Sequence, residues 1–214
     1  MDRFGIIGHP VAGSLSPELF AKAYGGRFAY DLIDEVRFED AWRRFLDGDY
    51  RAVNVTMPFK MQAAEAADFR SPEVEAIGAA NILVKTDRGI EAFNSDYLGL
   101  CSLLPAGGGR SAAVVGSGGA GRAAEAAARH LGYATRIFHH DEIASGVRAD
   151  LIIYTLPCAV DGIERLECGI LVEANYKTPC LEGRKGYVSG RDWLLAQART
   201  GYPLMTGIPA AEGF

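Results

Sequence analysis

Apolar residues gather in short runs at Phe4–Gly8, Phe28–Ile33, Ala52–Val55, Asn81–Lys85, Ala112–Val115, Thr135–Phe138, Leu151–Tyr154 and Ile170–Ala174. Between them, apolar positions recur at helical spacing over Pro17–Tyr24, Phe38–Leu46, Phe59–Ala67, Gly119–Leu131 and Arg191–Thr200. Strands alternating with amphipathic helices predict an α/β fold, with parallel sheets covered by helices on both faces. Pro105 and the run Gly107–Gly109 are hard to hold in either element. A fresh strand and a glycine loop follow, so a second unit is expected to begin there.

Composition narrows the partners. The 214 residues, 49% of them hydrophobic, suffice for one large domain or two small ones. The net charge is -5 and no long basic run occurs, so the electrostatic footprint of a nucleic-acid binder is missing. A small-molecule partner is expected instead. No stretch approaches the ~20 apolar residues of a membrane span, and MDRFGIIGHP does not read as a signal peptide. Cys101, Cys158, Cys168 and Cys180 are scattered and form no CxxC pair. That spacing argues for reduced thiols in a cytoplasm rather than a metal site or a disulfide framework.

Ser111–Val115 reads as a buried strand, runs into Gly116-Ser117-Gly118-Gly119-Ala120-Gly121, and leads to an alanine-rich helix. This is G-x-G-x-x-G in strand–turn–helix context. Glycines let the backbone turn tightly and approach a pyrophosphate, while the free N–H groups and dipole at the helix start favour its charge. A tight strand-to-helix packing turn is the competing reading. His139 and His140 follow the next strand and, as neighbours, point to opposite faces, so they form no chelate.

Polar clusters stand out earlier in the chain. In Gly8–Pro17, Ser16 reads as an N-cap with Pro17 at the first helical position, whereas Ser14 has no evident capping role. Asn54-Val-Thr-Met-Pro-Phe-Lys60 leaves a strand and puts Lys60 at a helix start. There the dipole disfavours a cation and can lower its pKa toward acid/base use; a solvated surface lysine is the alternative. Asn94 and Asp96 read as a turn capping a helix that starts near Tyr97.

Taken together, these clusters resemble the shikimate dehydrogenase family over nearly the whole chain. Ser14 and Ser16 match its S-x-S-P turn, and Asn54, Thr56, Pro58 and Lys60 match N-V-T-x-P-x-K. Asn81 matches the Asn of G-A-x-N-T, with Ile82 for Thr, and Asp96 the Asp of G-x-N-T-D-x-x-G, with Phe93 and Ser95 for Gly and Thr. Residues 116–121 match its glycine loop, Tyr176 the Tyr of D-x-x-Y, and Gln197 the Gln of its C-terminal helix.

The resemblance implies an N-terminal substrate-binding α/β domain at residues 1–100, a Rossmann-type dinucleotide-binding domain at 101–190, and a C-terminal segment, 191–214, packing back on the first. It implies NADP-dependent reduction of 3-dehydroshikimate to shikimate, with Lys60 and Asp96 handling the proton. Ser14, Ser16 and Tyr176 would bind the substrate carboxylate; Thr56, Asn81, Asp96 and Gln197 would read the ring hydroxyls. A monomer or homodimer is expected. Two other readings stay open: a non-catalytic shikimate-binding module, and an NAD(P)-dependent dehydrogenase of quinate or another hydroxy acid. The chain departs from the family at Phe20-Ala21, where His-Asn is usual, and at His139-His140-Asp141, which replaces the N-R-T that holds the 2′-phosphate. Arg136 lies inside the preceding strand, so NADP is expected to bind more weakly than is usual, and less as pH rises through the histidine range; NAD is the alternative cofactor. The stretch between Asp141 and Asp150 is too short for a helix and a strand, so the dinucleotide domain is expected to be trimmed.

Overall fold

The computed structural model describes residues 2–214. In chain order it holds β1 (Arg3–Gly8), α1 (Ser16–Tyr24), β2 (Ala29–Asp34), α2 (Phe38–Asp47), β3 (Tyr50–Val55), α3 (Lys60–Ala66), β4 (Phe69–Arg70) and α4 (Pro72–Ile77). Then come β5 (Ile82–Thr86), β6 (Gly89–Phe93), α5 (Ser95–Leu103), β7 (Ser111–Val115), α6 (Gly119–His130) and β8 (Ala134–Phe138). Last are β9 (Val147–Arg148), β10 (Leu151–Tyr154), β11 (Leu166–Glu167), β12 (Ile170–Glu173), β13 (Tyr187–Val188) and α7 (Gly190–Thr206). Two compact units form: the chain up to Ser95 with Ala198–Phe214, and Asp96–Gln197. The Pro105–Arg110 loop connects α5 to β7 within the second unit.

The first unit's sheet has the order β2-β1-β3-β5-β6-β4. Strand β1 runs parallel to β2 and β3, but β5 is antiparallel to both β3 and β6. The sheet is therefore mixed where a parallel one was expected. Only Asp87 and Arg88 separate β5 from β6, and so short a connection makes a hairpin. Strand alternation sends Val53, Val55 and Leu83 to one face, against the Phe38–Ala41–Phe45 stripe of α2 and Ala63 and Ala64 of α3. Ala52, Ile82 and Val84 face Phe20 and Ala23 of α1 and Tyr202 and Met205 of α7. Helix α7 continues to Thr206, through Pro203, where the sequence suggested an end near Thr200. Proline in a helix interior costs about 3 kcal/mol, but each large apolar side chain buried returns about 1.5–3 kcal/mol. Buried Tyr202 and Met205 thus carry the helix past the breaker.

The second unit's sheet, β13-β12-β10-β7-β8, is parallel throughout. Ala112, Val114, Leu151 and Ile153 pack against α6, against Leu100 of α5 and against Trp193 of α7. The other face, with Ala113, Val115, Ile152 and Tyr154, is not covered by α-helices among the described residues. It is closed by Ile143, Val147, Leu166 and Leu181, from loops, short 3-10 turns and the β9–β11 ladder. Between Asp141 and Asp150 the chain holds one 3-10 turn, Glu142–Ser145, and the two-residue β9. Strand β8 is consequently an edge. Among the described residues no helix is long and apolar enough to cross a membrane.

Candidate active site

Strand pairing gathers the early polar clusters at one end of the strands of the first sheet. Ile7 pairs with Val55, so the turns leaving β1 and β3 emerge side by side. Antiparallel β5 begins at that end and β6 finishes there, with Ile82 opposite Phe93. Backbone bonds lock the arrangement: His9 N donates to Met57 O (3.1 Å), Thr56 N to Ile7 O (2.8 Å), Ala80 N to Lys60 O (2.8 Å) and Asn81 N to Phe93 O (3.0 Å). Lys60 is the first residue of α3 and is partly buried.

Asn81 is buried, and its Oδ1 accepts from Ser95 N (2.7 Å) and Ser95 Oγ (3.2 Å). Both acceptor positions of that oxygen are occupied, so any substrate contact has to come through Nδ2. Asn94 Nδ2 donates to Ala79 O at 2.8 Å. Helix α5 starts at Ser95, so Asp96 lies in its first turn rather than ahead of a helix at Tyr97. Asp96 is 3% exposed, and its carbonyl accepts Trp193 Nε1 at 3.0 Å.

The serine pair reverses an expectation. Helix α1 starts at Ser16, Leu15 is the N-cap without a side-chain cap bond, and Ser14 Oγ accepts Ser16 N at 3.2 Å. Ser14, not Ser16, supports the first turn, because in this turn its hydroxyl is the one placed below an orphan amide. Ser14→Ala is expected to cost about 1 kcal/mol, and Ser16→Ala less. Equal shifts in thermal melts of the two variants would contradict this division.

In the second unit, Gly116 has φ of +107°, and a Cβ there would collide with Thr155 Oγ1. A Cβ at Gly121 would strike the Gly116 carbonyl, whereas the space around Gly118 is open. Gly118 is the N-cap of α6 and provides no side chain to its amides. A tight turn, a close helix and uncapped amides before open space fit a dinucleotide pyrophosphate. Ser117, Gly119 and Ala120 complete the loop. At the next loop, Asn175 Oδ1 accepts Lys177 N (3.1 Å) and Thr178 N (3.2 Å), fixing the turn that carries Tyr176. Fully buried Glu173 closes that loop by accepting from Cys180 N (2.7 Å), Leu181 N (3.3 Å) and Tyr187 Oη (2.8 Å). Gln197 lies on α7 where a Cβ at Gly99 would come within 2.8 Å of its backbone N, so α5 and α7 pack closely there.

The family profile described as the shikimate dehydrogenase substrate binding domain matches residues 6–83. A shikimate dehydrogenase (NADP(+)) of Paracidovorax citrulli (strain AAC00-1) is 33% identical, over 100% of this chain and 81% of its own. The chain belongs to the shikimate dehydrogenase family. The family's NADP(+) enzyme from Anaeromyxobacter sp. (strain K) is 38% identical over 69% of this chain, and the chain spans about half, 56%, of that relative. Shikimate 5-dehydrogenase from Thermus thermophilus, solved in complex with NADP(H) and shikimate, matches with a TM-score of 0.83 and 26% identity, over 99% of this chain and 95% of its own.

Tyr30 was not singled out in the sequence, yet it links the motifs of this shikimate dehydrogenase family member. Its hydroxyl donates to Asn54 Oδ1 (2.7 Å), whose Nδ2 in turn reaches Asn81 O (3.4 Å). Burial, and then Tyr202 nearby, raises the Tyr30 hydroxyl well above the ordinary tyrosine range, while a bond with Ser16 partly offsets this. The hydroxyl therefore stays a donor. An aromatic residue in an ordinary-looking strand carries no sequence signal for this bridge. Beside Glu173, burial and then hydrogen bonding to the carboxylate push the Cys180 thiol up to about 12. Burial also raises Cys168, whereas Cys158 is exposed. Since the thiolate is the reactive form, iodoacetamide at pH 8 is expected to modify Cys158 first, and Cys168 and Cys180 only on unfolding. Mass spectrometry over a labelling time course checks the order; early labelling of Cys180 would contradict it.

Proposed function

We propose that this chain catalyses the reversible NADP-dependent reduction of 3-dehydroshikimate to shikimate, a step toward chorismate and the aromatic amino acids. It acts as a cytoplasmic enzyme, monomeric or homodimeric, on a small-molecule substrate. The observation that supports this reading is that the turn leaving β1 and the segment leaving β3, which carries Thr56 and Lys60, emerge side by side at the end of the sheet where Asn81 enters β5, in a family whose relatives bear that activity. NADPH, when bound at the glycine loop, supplies the hydride to the ring carbonyl carbon.

The protein's task is then orientation and proton delivery. Lys60 donates a proton to the carbonyl oxygen as it becomes a hydroxyl, and Asp96 holds and orients the ammonium. Ser14 and Ser16 donate hydrogen bonds to the substrate carboxylate, helped by Tyr176. Asn81 donates through Nδ2 to a ring hydroxyl, and Thr56, Asp96 and Gln197 read the others; a substrate lacking one strands a desolvated partner. Steady-state assays with shikimate and with quinate, each with NADP and NAD, test the assignment. Turnover of shikimate is expected. Calorimetric binding of shikimate without turnover by either cofactor would make the chain a binding module, and turnover of quinate alone would reassign the substrate.

A further inference from the structure

The tip of β8 carries a polar arrangement that the glycine loop alone does not require. In a dinucleotide-binding unit, the group that meets the adenosine ribose stands at the end of the second strand, about 20 residues beyond the loop. A carboxylate there accepts from the 2′-hydroxyl of NAD, and an arginine nearby accommodates the 2′-phosphate of NADP. Arg136 and Phe138 share a face of β8. The Arg136 guanidinium lies 4.4 Å from the Phe138 ring centroid, so the side chain runs along the strand toward its tip. There Arg136 Nη2 is 3.5 Å from Glu142 Oε1. The other carboxylate oxygen of Glu142 accepts His139 N at 2.7 Å, which fixes Glu142 beside the strand end. Because β8 is the sheet edge, no further strand flanks this pair among the described residues.

We propose that Arg136 and Glu142 form the selector for the adenosine ribose: Arg136 is the cation that meets the 2′-phosphate, and Glu142 competes with the phosphate for it. The inference rests on the dinucleotide reading of the glycine loop. Its chemistry is a balance of charges. A guanidinium can grip a phosphate through a planar set of donors, but binding it here means giving up the Glu142 contact and bringing the phosphate near the Glu142 carboxylate. NAD meets no such repulsion, since the Glu142 carboxylate accepts from its 2′-hydroxyl. The chain therefore discriminates between the cofactors less than a site built with an uncontested arginine. The tip also gains a cation that the sequence alone, with Arg136 inside the strand, left to the histidines.

Calorimetric titration of the full chain with NADP, NAD and adenosine 2′,5′-bisphosphate tests the proposal without reference to turnover. Glu142→Gln keeps an acceptor for His139 N and removes the competing charge; it is expected to tighten NADP and the bisphosphate about 10-fold relative to NAD. Arg136→Ala is expected to weaken NADP and the bisphosphate about 10- to 100-fold while NAD changes little. Arg136→Lys should keep part of that affinity, and circular dichroism melts check that each variant is folded. An NADP-to-NAD affinity ratio unchanged in folded Arg136→Ala would overturn the role of Arg136, and one unchanged in Glu142→Gln would overturn the competition. Failure of the wild-type chain to bind either NADP or NAD would instead overturn the dinucleotide reading, and the selector with it.

Discussion

Replacing Lys60 with alanine is expected to lower kcat about 100- to 10,000-fold, the usual loss when general acid/base help is removed. The fold should survive. Lys60 contributes its backbone carbonyl to Ala80 N, and alanine keeps that bond. As the first residue of α3 the lysine is opposed by the helix dipole, and alanine is the better helix former. Other lysines are engaged elsewhere: Lys22 pairs with Glu18 at 2.7 Å, and Lys85 donates to the carbonyls of Leu46 and Gly48 at 2.9 Å each. Steady-state kinetics on the variant, with a thermal melt alongside, read both halves of this expectation. A folded variant with near-normal kcat would move proton delivery to another group.

The second large effect concerns stability. Glu173→Ala is expected to cost roughly 3–5 kcal/mol, because the buried carboxylate accepts from two amides and a tyrosine hydroxyl, and deletion leaves those donors unsatisfied. That is a large part of a typical folding free energy. Glu173→Gln should cost less, since its amide oxygen can still accept from some of the same donors while its NH2 group faces another. Glu173 also closes the loop that carries Tyr176, so the glutamine variant is expected to raise the KM for shikimate more than it lowers kcat. Urea denaturation measures the first effect. A loss below about 1 kcal/mol for Glu173→Ala would mean that water or a rearranged loop satisfies the orphaned donors.

Several elements escaped the linear reading for identifiable reasons. Strand β6 alternates buried Ile90 and Ala92 with partly exposed Glu91, a signal that was present but short. Helix α4, with six residues, offers too few periodic positions to stand out. Helix α7 outlasts its breakers because Tyr202 and Met205 are buried, which depends on neighbours distant in the chain. The serine turn shows the same limit at finer scale. A one-residue change in where α1 begins exchanged the roles of Ser14 and Ser16.

The order and spacing of residues alone determined the α/β class, the glycine loop between β7 and α6, and the family, since each rests on local periodicity or on contiguous motifs. Those signals survive without tertiary knowledge because glycine conformation, strand alternation and helix starts are properties of a few adjacent residues. Only the tertiary structure decided that the early clusters share one end of the sheet, that Tyr30 donates to Asn54, that Glu173 is buried under the Tyr176 loop, and that Arg136 reaches the tip of β8. Each of these depends on which strands pair and in what register. A hydrogen bond acts over about 3 Å, whereas the residues it joins here lie up to tens of positions apart, and only the folded sheet brings them within that reach.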